Sequence, residues 1–182
     1  MTGQVVARTT DLSDLPNPDS RVIQFLDAWK AARGSSLVPY KRDLDPLSFP
    51  RLLPCVWLYR HDTESNDFTC KLAGESINRS WGYSIAGQSA TQILGADHAV
   101  VTGIWRTILD TPLIHYGRSE RLDGNRMYKA ERIVLPMIGD DAPDDRPDHI
   151  LGLSLYQVGT GEEPRPELLL ENAFQIHCVD IR

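Results

Sequence analysis

The run from Asp97 to Pro112 constrains the fold more than any other part of the chain. Val100, Val101, Ile104, Trp105, Ile108 and Leu109 recur every three or four residues, Thr102, Arg106 and Asp110 stand opposite, and Pro112 ends the run. That period lays one apolar stripe along a helix, with Asp97 as its expected cap. Strand patterns flank it on both sides. Upstream, Cys55 to Arg60 is rich in strand-favouring residues, Phe68 to Leu72 alternates apolar and polar, and the polar run His61 to Asp67 between them reads as a turn. Gly74 opens a short helical stretch through Trp81. Downstream, Leu113 to Arg121 and Met127 to Met137 flank the tight-turn signal Asp123-Gly124-Asn125. After the acidic loop Gly139 to Asp148, Ile150 to Val158 carries Leu151, Leu153 and Leu155 at alternate positions, the pattern of a strand buried on one side.

Two hairpins separated by helices imply an α+β fold with a five-stranded antiparallel sheet in the order ββ-helices-βββ. The inserted helices are expected to pack on one face and to enclose a small core that can serve as a ligand cavity. The chain divides into a flexible lead (1–19), an N-terminal helix and connector (20–49), a core domain (50–158) and a linker with a C-terminal tail (159–182). Asp19 or Ser20 can cap the N-terminal helix and Gly34 can end it; Asp45 and Pro46 can start a turn in the connector. The period of the tail is ambiguous, and its type stays open.

With 182 residues, of which 41% are apolar and 24% charged, the chain can bury a core without staples. Its net charge of −6 and the lack of a Lys/Arg run argue against nucleic acid as a partner. Neither a signal peptide nor a membrane span is expected. Cys55, Cys70 and Cys178 are an odd count without metal-ligand spacing, which reads as reduced, partly buried thiols in a cytoplasmic protein.

The segments Pro50-Arg51-Leu52-Leu53-Pro54, Lys71-Leu72-Ala73-Gly74-Glu75-Ser76-Ile77-Asn78-Arg79-Ser80-Trp81-Gly82, Ile85-Ala86-Gly87 and Glu131-Arg132-Ile133-Val134-Leu135-Pro136 carry a resemblance to the PAS superfamily. Within it, the chain resembles most a family of small bacterial proteins built around a single PAS domain. The resemblance covers most of 45–158. Lys71 stands where such proteins usually have Arg, and Ile85-Ala86 lies near their Leu-Thr pair. The resemblance implies a stand-alone sensory or protein-interaction module that is not an enzyme, is often a homodimer and signals through a protein partner. Dimerisation would use the helix preceding the domain, here through Val22, Phe25, Leu26 and Trp29. The other reading of that apolar stripe is packing on the chain's own sheet.

The resemblance also directs the search for chemistry. Flavin-photoadduct PAS domains place a cysteine in the helix after the second strand, and Gly74 to Tyr83 has none, which disfavours that mechanism. Noncovalent flavin and haem stay open, with Trp57, Trp81 and Trp105 as pocket walls or plain core and His98 or His115 as axial ligands or ordinary hydrogen-bonded histidines. His115, Ser154 and Asn78 are expected to face a ligand. Arg132 interrupts an apolar strand: facing a pocket it would favour a carboxylate or phosphate, and otherwise it is a structural residue paired with Glu131 or Glu75, pointing away if Ile133 and Leu135 face the core. Gly82-Tyr83-Ser84-Ile85-Ala86 misses the nucleophile-elbow pattern, and the aspartates of 140–145 lack calcium-loop spacing. The competing readings are a small cone-fold isomerase, which needs an acidic residue paired with Tyr or His in its pocket, and a ligand-free adaptor with a filled core.

Overall fold

The computed structural model describes residues 5–9, 15, 17–123, 126–158 and 171–181. The expected order is present: β2 (Val56–Asp62) and β3 (Asp67–Ala73), then helices α2 (Glu75–Trp81), α3 (Ala90–Leu94) and α4 (His98–Asp110), then β4 (Leu113–Asp123), β5 (Arg126–Met137) and β6 (His149–Val158). These five strands lie side by side as β4-β5-β6-β2-β3, all antiparallel. Gly124 and Asn125 of the expected β4–β5 turn, and the linker 159–166, lie outside the described residues.

The sheet has seven strands, because both terminal segments extend it. β7 (Asn172–His177) comes from the tail and pairs antiparallel with the outer edge of β4; β1 (Val5–Arg8), inside the segment expected to be a flexible lead, pairs in parallel with β7. β4 would otherwise be an open edge, and its backbone groups need partners. The tail's ambiguous period follows from this position. Ala173 and Ile176 are buried, whereas Phe174 is only partly so.

Helix α1 (Ser20–Arg33) starts where Asp19 accepts from the backbone N–H of Arg21 at 2.9 Å and ends at Gly34, whose φ of 53° suits glycine. In the connector, Asp45 accepts from Leu47 N at 2.9 Å and Pro46 opens a single 3-10 turn. The start of α4 differs from expectation. Gly95–Asp97 forms a 3-10 turn that runs into the helix, so Asp97 sits in helical geometry and its side chain caps nothing.

Helices cover both faces of the sheet. α2, α3 and α4 pack over one face on Trp57, Tyr59, Phe68, Val134 and Ile150. α1 and the turn Pro50–Cys55 pack over the other, on Ile133, Leu135, Leu151, Leu153 and Leu155. β6 is therefore buried on two sides rather than one. The stripe assigned to a dimer interface, Val22, Phe25, Leu26 and Trp29, is at most 2% exposed within a single chain. The Trp29 indole N–H also donates to the carbonyl of Pro136 at 2.9 Å. Of the two occupants open to this stripe, the chain's own sheet takes it, and each buried side chain contributes roughly 1.5–3 kcal/mol that a dimer would have to replace.

Candidate functional site

The site lies between the sheet and α2–α4, and strand register builds its floor. Trp57 of β2 stands opposite Gly152 of β6, and the missing Cβ lets the indole lie across β6. The indole N–H then reaches Ser154 Oγ, two residues further along, at 2.8 Å. Arg132 of β5 is the register partner of Ser154, and its Nε donates to the same Oγ at 2.8 Å. Its Nη2 donates to the Tyr156 hydroxyl at 2.5 Å, with the guanidinium carbon 5.9 Å from that ring's centre. Arg132 does point away from Ile133 and Leu135, but a second interior lies on that side, and the residue is 8% exposed.

An aromatic cluster fills most of the remaining space. Trp105 of α4 sits 4.7 Å from Tyr59, 5.2 Å from Phe68 and 5.6 Å from Trp57, ring centre to ring centre. What is left is a cavity of about 40 Å³, walled by Trp57, Tyr59, Trp81 and Trp105 and floored by Arg132, Ser154 and Tyr156. That is far below the several hundred Å³ of a drug- or cofactor-sized pocket. Beside it lies an outer cleft of about 270 Å³ where β6 runs past the start of β2. Arg21, Cys55, Ser76, Arg79 and Ser80 line this cleft, and it shares Ser154 and Tyr156 with the cavity. Arg21 pairs with Asp19 at 2.7 Å and Arg79 with Glu75 at 2.8 Å.

The structure brings Trp57, Trp81, Trp105 and Ser154 together as the sequence suggested. Asn78 plays another part: it donates to Ala73 O and accepts from Ile85 N, both at 3.1 Å, and so fastens α2 to the loop that follows. His115 lies on the same sheet face, diagonal to Arg132, but does not line the cavity. It is 4% exposed, its Nδ1 meets no partner, and burial, aided by the Arg132 charge, lowers its pKa to about 4. His98 bonds Asp67 Oδ1 at 2.9 Å and lies 3.2 Å from Thr91 Oγ1, an anchor between α4 and β3. Tyr156 was missed by sequence reasoning. The usable signal was its place in the Ser154/Tyr156 alternation opposite the leucines of β6.

Burial pushes the Cys70 thiol up to about 11 and the Cys178 thiol up to about 12, so neither is activated. Among the described residues, no three potential ligands stand close enough to hold a metal ion, and no helix is long and apolar enough to cross a membrane.

A family model described as PAS domain matches residues 18–155, a span that takes in α1 as well as the five central strands. Among solved structures, a fungal LOV domain photoreceptor matches at 20% identity, covering 57% of this chain and 75% of that one, with a TM-score of 0.35. No curated protein matches the chain.

Proposed function

The chain belongs to the PAS domain family, whose members are sensory and interaction modules, and from that premise we propose that it is a non-enzymatic sensor that reads a ligand smaller than a flavin or a haem. The observation that carries the reading is the cavity of about 40 Å³, set on a cluster of buried Arg132 and Ser154 with half-buried Tyr156, between the sheet and α2–α4. Buried polar groups cost stability unless they are paired, so a polar cluster in an aromatic core is a feature with a use. Occupancy would act on Trp81 and Trp105, and through them on α2 and α4, whose outer surfaces are open to a signalling partner. The isomerase reading needs a carboxylate beside a Tyr or His, and among the described residues lining the cavity there is none.

The filled-core adaptor draws support from the same small volume, since the aromatic cluster occupies most of the space. The protein purified without added ligand and examined by absorption and native mass spectrometry separates the two. The small-ligand sensor predicts no visible band and, after exposure to a cell extract, a mass above the polypeptide by a small-molecule increment. A flavin or haem band would overturn it in favour of a large cofactor. A bare polypeptide mass after exposure to extract would overturn it in favour of the adaptor.

A further inference from the structure

The hydrogen-bond inventory of the cavity floor is lopsided. Ser154 Oγ accepts twice, from the Trp57 indole and from Arg132 Nε, which uses both of its lone pairs. Its own O–H is still a donor. Tyr156 Oη accepts from Arg132 Nη2, and its O–H is likewise still to be placed. No described residue accepts from either hydroxyl. Ser154 and Tyr156 both line the cavity, and the guanidinium that donates to their hydroxyls polarises both. Among the described residues that line it, the cavity has no carboxylate, no amide and no imidazole; the only other side-chain oxygen is the Tyr59 phenol, a weak acceptor. The floor thus offers two O–H donors beside a positive charge and asks for an acceptor.

Size narrows the acceptor. A water needs about 10–15 Å³ of such space, so a cavity of about 40 Å³ takes about three non-hydrogen atoms. Three atoms with two adjacent acceptor oxygens make a carboxylate. A neutral water would also have to donate two hydrogens to a lining that is short of acceptors. The outer cleft shares Ser154 and Tyr156 and adds the side chains of Ser76 and Ser80, with Arg21 and Arg79 held beside it by Asp19 and Glu75.

Resting on the ligand-sensing reading, we infer that the cavity receives the carboxylate head of a small organic acid, bound by the Ser154 and Tyr156 hydroxyls beside Arg132, with the rest of the molecule in the outer cleft. Arg132 keeps its bonds to Ser154 and Tyr156, and the acid's oxygens accept from the two hydroxyls.

The test titrates the full chain, in a buffer free of carboxylates, with acetate, butyrate and benzoate and with the matching amides, read by tryptophan fluorescence and calorimetry. The acids should saturate, the longer ones more tightly than acetate, and each amide should bind at least about tenfold more weakly, the scale of a hydrogen bond to a charged group. Tyr156→Phe keeps the ring and should lower acid affinity about tenfold at unchanged circular dichroism. Ser154→Ala should do the same, and Tyr156→Phe decides the matter where Ser154→Ala fails to fold. Ser76→Trp narrows the cleft and should erase the advantage of butyrate over acetate. Equal binding of acid and amide, or full affinity in Tyr156→Phe, overturns the carboxylate assignment. If no acid binds but cell extract still adds a small-molecule mass, the carboxylate fails and the sensor reading stands. If the extract adds nothing either, both fail.

Discussion

Gly152 lies beneath the indole of Trp57, and a methyl group at that position would overlap Cζ2 and Cε2 of the ring. This one relationship sets the cavity floor, because it brings the Trp57 N–H onto Ser154 across a separation of 97 residues. Gly152→Ala should push the indole off β6, break that hydrogen bond and cost roughly 3 kcal/mol, the scale of overpacking a tight core. Urea denaturation gives the stability, and the tryptophan emission maximum shifts to longer wavelength as the ring leaves its site. An unchanged spectrum and midpoint would show that the ring has room to yield.

Trp29 tests the role of α1. Trp29→Phe removes the donor to Pro136 O and leaves a void on the α1 face, at a cost of roughly 2–3 kcal/mol. The molar mass by light scattering should stay that of the wild type, because the stripe is covered within one chain. A change of oligomeric state at unaltered stability would instead place α1 between two copies.

His115 makes stability depend on pH. Its folded pKa, held near 4 by burial and by the Arg132 charge, lies below the ordinary 6.5, so between these values the unfolded chain binds the extra proton. Stability should fall as pH drops from 6.5 to 4, by an order of 3 kcal/mol in all. His115→Leu should flatten that limb of the stability curve, measured as urea midpoints across the range.

Asp67 acts in the same sense at lower pH. Burial works to raise its pKa, but hydrogen bonds from His98, the Phe68 backbone and Thr91 outweigh it and hold the carboxyl at about 2, against an ordinary 3.8. The ionised form therefore stabilises the fold above pH 3.8, and that contribution, about 2 kcal/mol, is lost as pH falls toward 2. Asp67→Asn should lower stability at neutral pH and remove this acid-limb loss. Hydrogen exchange should then quicken at the start of α4, where His98 loses its partner.

Much of the fold was legible because its signals are local. The helix α4, the strand β6 and the caps at Asp19 and Asp45 depend on neighbours a few residues away, and the structure has each of them. The faces were less legible, since Val100 of the expected stripe is exposed, Thr102 from the opposite side is buried, and β6 is covered on both sides. The strands at the two termini were not legible. β7 and β1 exist because β4 offers an edge, and an edge belongs to the sheet rather than to the segment that covers it. Trp57, Trp81, Trp105 and Ser154 were chosen as pocket residues by type and strand position. Tyr156 escaped, and the bonds of Asn78 to Ala73 and Ile85 were not legible, because a polar residue on a short helix can serve the backbone as readily as a ligand.

Arg132 shows where the two levels part. Alternation alone determined that it opposes Ile133 and Leu135, since successive side chains of a strand leave on opposite faces. Alternation is silent on whether both faces are covered. That was decided by α1 folding back over one face while α2–α4 cover the other. Register decided the rest, setting Arg132 beside Ser154 across 22 residues and Trp57 over Gly152. Periodicity is a property of a segment and survives in the sequence; register and coverage are free-energy balances among distant segments, and exist only once the chain has packed.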